Sequence, residues 1–250
     1  MAEKVVLITG ASAGIGAVTA QLLAGKGWRV AINYLSNDAA ARAVLERCTA
    51  TGSEAMLLQG DVSDDAACRA MVAAVEQRWG RIDALVNNAG VTKHVAMADL
   101  EALPSSEFER LIRANVSSAF QMARAAAPAL RRARGAIVNV SSYAGISGQG
   151  SSIAYAASKG AMNTLTLSLA RVLAPEVRVN AIAPGMVETR WHDAIGAERR
   201  AKQAEMYSSK AALRRTVRPE DVADAVCWFI DNAPATTGQI VAVDSGHHLG

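Results

Sequence analysis

Short runs of β-branched and aliphatic residues, at 5–9, 29–33, 55–58, 84–86, 136–140, 178–181 and 240–243, recur along the chain, with longer alanine-rich, charge-bearing stretches between them. Such runs, bounded by turn residues, read as strands, and the stretches between them are long enough for helices. Apolar residues follow one another in the runs without polar alternation, so a sheet built from them must be covered on both faces. The order therefore predicts an α/β fold: a doubly wound parallel sheet of about seven strands, flanked by helices on both faces, in one domain over 1–250. Ligands of such sheets bind beyond the carboxyl ends of the strands, where the chain order reverses. The least regular stretch follows Pro184-Gly185, where Trp191, His192 and Gly196 interrupt a weakly periodic segment running toward Tyr207. Residues 186–210 are expected to form a substrate lid within the domain.

Composition narrows the function classes. A chain of 250 residues that is 51 % apolar can bury a full core. The net charge of +3 is small, and its basic clusters (Arg131, Arg132 and Arg134; Arg199, Arg200 and Lys202; Arg214, Arg215 and Arg218) are scattered, which suits solvated helix faces and argues against nucleic acid. Cys48, Cys68 and Cys227 are odd in number and far apart, so no metal is expected and a reducing compartment is. The strand-like Lys4-Val5-Val6-Leu7-Ile8 follows only a few polar residues, and no apolar run could span a bilayer; the expectation is a cytoplasmic protein without membrane contact. His94 follows Asn87-Asn88-Ala89-Gly90 closely enough to touch a pocket rim, His192 falls in the expected lid, and the His247-His248 pair lacks the spacing and acidic partners of a metal site; for each, a surface residue is the favoured reading.

The candidate chemistry falls at strand ends. Gly10, Gly14 and Gly16 join the first strand to a helix, a turn tight enough to bring backbone amides against a pyrophosphate. Tyr155 and Lys159 stand four apart, on one face of a helix, so that an ammonium can sit beneath a phenol and favour its phenolate form. Ser142 lies thirteen residues upstream of Tyr155. A phenol tuned in this way can exchange a proton with an alcohol or a carbonyl.

This ordered set resembles the classical short-chain dehydrogenase/reductase family over essentially the whole chain, nearest in pattern to its 3-oxoacyl carrier-protein reductase-like members. The resemblance implies a Rossmann-type fold and an NAD(P)-dependent oxidoreductase that moves a hydride between nicotinamide and a carbonyl or secondary alcohol. It implies cofactor contacts at Gly10, Ser12, Gly14, Ile15 and Gly16 in the first turn, and at Asn33, Tyr34 and Ser36 after the second strand. Further contacts fall on Asp61-Val62, on Asn87-Asn88-Ala89-Gly90, and on Pro184, Gly185, Val187 and Thr189 beside the nicotinamide. In the implied catalytic group, Ser142 hydrogen-bonds the substrate oxygen and Tyr155 supplies the proton. Lys159, together with the positive ring of the oxidised nicotinamide, lowers the tyrosine pKa and also holds the ribose, and Asn115 holds a water linking Lys159 to solvent. A non-catalytic nicotinamide-binding protein is the alternative from another class, but such relatives break the tyrosine or the lysine.

The second strand ends Ile32-Asn33-Tyr34-Leu35-Ser36, with no acid to accept the ribose hydroxyls of NAD. NADP(H) is therefore favoured, with NAD(H) or dual use as the alternative, although the arginine of many NADP-using relatives is missing at Ala13 and Leu35. The substrate reads as a small carbonyl or alcohol compound. Acyl carrier protein is the competing partner, against which stands the acidic turn Ala174-Pro175-Glu176-Val177-Arg178, with Arg131, Arg132 and Arg134 as a replacement basic patch. Met186, Trp191 and Met206 suit either an apolar substrate or core packing, and Tyr143 either lines the pocket or packs. A homotetramer paired through the long helices around Asn115 and Tyr155 is also implied.

Overall fold

Val5, Val6, Leu7 and Ile8 of the first strand are all inaccessible to solvent, and alternate residues belong to two different hydrophobic cores. Val6 and Ile8 point into a cluster with Leu23, Val226 and Phe229. Val5 and Leu7 point into another with Val75, Met122, Leu130 and Leu169. Successive side chains leave a strand on opposite faces, so a strand covered on both sides has no place for a polar alternation. Each fully buried aliphatic side chain contributes about 1.5–3 kcal/mol, and this two-sided burial is what holds the sheet between its helix layers.

The structure, a computed structural model, describes residues 3–189, Trp191 and residues 196–250. Its strands are β1 (Val5–Ile8), β2 (Arg29–Tyr34), β3 (Ala55–Gln59), β4 (Ala84–Asn87), β5 (Ala136–Val140), β6 (Arg178–Pro184) and β7 (Ile240–Val243). They form one parallel sheet in the order β3-β2-β1-β4-β5-β6-β7. The helices are α1 (Gly14–Gly25), α2 (Asp38–Thr49), α3 (Asp65–Trp79), α4 (Ser105–Ile112), α5 (Ser118–Ala133), the single turn α6 (Ala144–Ser147), α7 (Ile153–Leu173), α8 (Ala197–Lys210) and α9 (Pro219–Asp231). All seven expected strands are present, and the order reverses between β1 and β4, the position at which such sheets bind ligands.

Two features differ from the sequence reading. The segment expected to be irregular contains the fourteen-residue α8. Its weak pattern has a physical reason: of its residues only Tyr207 is buried, so one anchor, rather than an apolar stripe, fixes it. His192 and part of the expected lid lie outside the described residues. The arginines proposed as a basic patch lie at the other end of the sheet from the strands' carboxyl ends. Arg132 pairs with Glu76 of α3, Arg131 donates to the Val172 carbonyl at the end of α7, and Arg134 lines a small cavity with Lys4, Asp83 and Glu176. The α5 helix runs antiparallel to the strands, which carries its last turn away from the site.

Candidate active site

A cavity of about 1100 Å³ runs along the carboxyl edge of the sheet, from the first glycine turn to the C-terminal 3-10 turn His247–Leu249. At its first end Gly10 and Gly14 hold φ of +61° and +56°, which other residues rarely adopt. A Cβ on Gly10 would stand 2.9 Å from the Ala89 Cα, and one on Gly16 would collide with the Asn88 amide and the Gly10 carbonyl. Thr9 closes this junction: its hydroxyl donates to the Val86 carbonyl and accepts from the backbone amides of Asn88 and Ala89 at 3.0 Å each. The Asn88 side chain donates to the carbonyls of Thr9 and Gly10, both at 2.9 Å. Asn33 is likewise engaged inside the protein. It accepts from the Gly10 amide (3.1 Å) and donates to the carbonyls of Leu58 and Gly60, so it fixes the turn.

Beyond β2, Leu35 is 61 % exposed, and Tyr34, Ser36, Asp61 and Val62 line the cavity with it. The nearest carboxylate along the chain is Asp38, which accepts from Arg42 Nε (2.6 Å) and from the Tyr34 hydroxyl (2.7 Å). The Arg42 hydrogen bond, followed by that of Tyr34, holds its carboxyl below the usual carboxylate range. Asp38 stands outside the cavity lining, and the carboxylate on the wall at this end is Asp61, which accepts from the Ser63 amide (2.8 Å).

At the middle of the cavity α7 brings Tyr155 and Lys159 beside Ser142. The helix starts on Ser152, whose hydroxyl accepts from the Tyr155 amide (3.2 Å) and so fixes the tyrosine in the first turn. The Ser142 loop is tied to the same helix: Ser141 Oγ donates to Asn163 Oδ1 (2.6 Å), and Asn163 Nδ2 donates to the Gly145 carbonyl (3.1 Å). Gly145 lies so close to the backbone of Lys159 that a Cβ there would overlap it. Burial pushes the Tyr155 phenol up to about 12, against the lowering effect of its hydrogen bond with Ser142. Burial also brings the Lys159 ammonium down to about 8. Lys159 Nζ donates to the Val140 carbonyl (2.9 Å) and stands 5.9 Å from the Tyr155 ring centroid. Burial is thus the larger influence on the phenol, and the Lys159 ammonium is directed at the Val140 carbonyl.

Asn115 is fully buried in a π-helical turn, Arg113–Ser117, between α4 and α5. Its Oδ1 accepts from the Val91 amide (2.8 Å), and its Nδ2 donates to the Val91 carbonyl (3.0 Å) and to Ser158 Oγ (2.9 Å). With both amide hydrogens engaged, the side chain ties the loop after β4 to α7. Gly16, Asn87 and Asn115 stand behind the wall of the cavity, whereas Gly10, Ser12, Gly14, Ile15, Asn88, Ala89, Gly90, Pro184, Gly185, Val187 and Thr189 line it.

The far end holds residues that the sequence reading left open or assigned to the surface. Tyr143, Met186, Trp191 and Met206 all line the cavity, as do His94 and His247. Trp191 lies 6.0 Å from the Tyr155 ring, tilted by 52°. Tyr207 of α8 donates to the Asp244 carbonyl (2.5 Å), and a Cβ on Gly185 would collide with its hydroxyl. In sequence His247 is one of a pair near the chain's end, and only the fold brings it back to the site.

The family model described as "Enoyl-(Acyl carrier protein) reductase" matches residues 10–248. A short-chain dehydrogenase/reductase from Burkholderia xenovorans of known structure superposes with a TM-score of 0.93 at 43 % identity, covering 100 % of both chains. The chain belongs to the classical short-chain dehydrogenase/reductase family. This short-chain dehydrogenase/reductase is also 43 % identical to a Streptomyces violaceoruber protein named as ketoacyl reductase 2 of the granaticin polyketide synthase, over 98 % of this chain and 96 % of that one. It is 34 % identical, over 98 % of each, to the 3-oxoacyl-[acyl-carrier-protein] reductase FabG of Staphylococcus aureus. Membership makes it an oxidoreductase and implies a nicotinamide cofactor. The junction suits the pyrophosphate of such a cofactor: side chains at Gly10 or Gly16 would collide with Ala89, Asn88 or the Gly10 carbonyl, so only glycines let the turn close at the start of α1, where backbone amides face an anion. All three cysteines are free and buried, with thiols pushed up to about 11 by burial, and no described helix is long and apolar enough to cross a membrane.

Proposed function

We propose that this enzyme interconverts a small carbonyl compound and its secondary alcohol, using Tyr155 as general acid and base and NADP(H) as the favoured cofactor. The observation that carries the reading is one continuous cavity with the glycine junction at one end and Ser142, Tyr155 and Lys159 at its middle. When bound, the nicotinamide supplies the hydride in reduction and takes it back in oxidation. Ser142 donates a hydrogen bond to the substrate oxygen as charge builds there, and Tyr155 delivers its proton to that oxygen. In the oxidative direction Tyr155 takes that proton from the alcohol. Lys159, with Asn115 fixing the backbone around it, holds the ribose and supplies positive charge beside the phenol. Gly10, Ser12, Gly14 and Ile15 bind the pyrophosphate side, and Pro184, Gly185, Val187 and Thr189 meet the nicotinamide.

The NADP(H) assignment rests on the end of β2, where Leu35 is no acid and Asp38 is held by Arg42 and Tyr34. Ser36 and the backbone amides beside it then meet the 2′-phosphate. A β-ketoacyl thioester, on a carrier protein or free, is the second reading, favoured by the names of two relatives. A homotetramer joined through α5 and α7 suits the exposed Phe120, Leu167 and Val172.

Initial rates with NADPH and NADH against simple ketones, aldehydes, diketones and an acetoacetyl thioester test the reading, alongside Tyr155→Phe. We expect turnover with NADPH and a loss of about 10²–10⁴-fold in kcat for the variant, with the fold retained by circular dichroism. Full activity in Tyr155→Phe would remove the phenol from the mechanism, and turnover confined to the thioester would move the assignment to the second reading.

A further inference from the structure

We infer that His247 is a substrate-orienting residue, which donates a hydrogen bond from Nε2 to a second oxygen of the substrate and so selects carbonyl compounds that carry one. The inference rests on the carbonyl-reduction reading and adds to it a determinant of specificity. The imidazole is fixed in place. It stacks on Tyr207 with centroids 4.1 Å apart and planes at 13°, and meets Tyr143 edge-on at 6.1 Å and 88°. Its backbone is held as firmly: the His247 amide donates to the Asp244 carbonyl (3.0 Å), and the Asp244 carboxylate accepts from the amides of Gly246 (3.0 Å) and His248 (2.9 Å) and pairs with the His248 ring.

The ring's chemistry follows from what covers it. Nδ1 is buried without a hydrogen-bond partner, and one face lies under Tyr207, yet the residue lines the cavity. The edge left for the cavity is the one that carries Nε2. Burying an N–H with no acceptor costs more than burying a lone pair, so the neutral ring keeps its proton on Nε2. A donor is therefore presented into a cavity lined by Met186, Trp191, Met206 and Tyr207, with Gln203 and Lys210 of α8 also on its wall, and in such largely apolar sites a few placed polar groups set orientation. Tyr143, which the ring meets edge-on, is the neighbour of Ser142 in the chain, and His247, Tyr143, Ser142 and Tyr155 all line the same cavity. A substrate with a second acceptor a few bonds from its reactive carbonyl, such as a 1,3-dicarbonyl, would be gripped at both oxygens, and a simple ketone at one.

The test compares ethyl acetoacetate with 2-hexanone, each as the ratio of variant to wild-type kcat/KM, so that their intrinsic reactivities cancel. His247→Phe keeps the stack and removes the donor, while His247→Asn keeps a donor in a smaller side chain that cannot overpack. We expect His247→Phe to lose about tenfold or more on ethyl acetoacetate, mainly through KM, with a clearly smaller loss on 2-hexanone and an unchanged KM for NADPH. His247→Asn is expected to recover part of the lost discrimination. Equal losses on both substrates, or none on either, would overturn the inference while leaving the reduction reading intact. A wild-type enzyme inert toward both would instead overturn that reading, and the inference with it.

Discussion

Lys159 is 3 % exposed, and its position illustrates the cost of a reactive group. Burial lowers its pKa from 10.5 to about 8, so below pH 8 the folded protein bears the full cost of a buried ammonium. Between about 8 and 10.5 the folded state releases this proton while the unfolded chain keeps it, and stability from this group rises with pH. Lys159→Met should therefore be more stable than wild type at pH 7, by on the order of 3 kcal/mol, and the gap should shrink toward pH 10. Urea denaturation of the two proteins across that range measures it, and a gap independent of pH would contradict the assigned cause. Leu35 governs the opposite end of the cavity. Placing a carboxylate there, in Leu35→Asp, is expected to move the NADH/NADPH ratio of kcat/KM toward NADH by about tenfold or more, because the acid accepts ribose hydroxyls and repels a phosphate. An unchanged ratio would show that the end of β2 does not read the cofactor.

Among the elements, α7 and the loop after β5 act as one unit, and Gly145 is where they touch. A methyl group there must push the Ser142 loop off the helix. Gly145→Ala should lower kcat by about 10²-fold, the usual penalty for misplacing a reacting group by about an ångström, while the Kd for NADPH by fluorescence titration stays near wild type. A loss confined to cofactor affinity would place the coupling elsewhere. This scale also separates what the sequence made legible from what it did not. The strands and the Tyr155–Lys159 helix were readable because burial on two faces and a spacing of four leave marks in a linear string. The π-turn around Asn115 was not, since an inserted residue in a helix has no compositional signal. Nor was α8, anchored by Tyr207 alone, or His247, whose place depends on a contact forty residues away in the chain. The direction of the Lys159 ammonium was not legible either: helical spacing brings Lys159 near Tyr155, but the Val140 carbonyl that accepts from it comes from β5.

At the scale of the molecule, apolar side chains remain uncovered on two sides. Phe120, Leu167 and Val172 lie on α5 and α7, and Trp228 and Val241 on α9 and β7. Two separate uncovered faces suit the two kinds of twofold contact from which a tetramer with dihedral symmetry is built. Sedimentation velocity should show a species of four chains, and a Phe120→Glu, Leu167→Glu double variant should stop at a dimer. A wild-type monomer at micromolar concentration would contradict the assembly. The reversal of strand order between β1 and β4 has a different kind of consequence. The glycine turn and the wall beyond β2 come mainly from residues 10–91, with Thr189 reaching Gly14 from the other half, and most of the wall around Tyr155 comes from residues 140–247. The wall beyond β2 and the wall around the reacting carbon can thus vary in sequence separately. A lineage can exchange one substrate for another by altering its second half while its first half, and with it the reducing pool it draws on, is inherited unchanged.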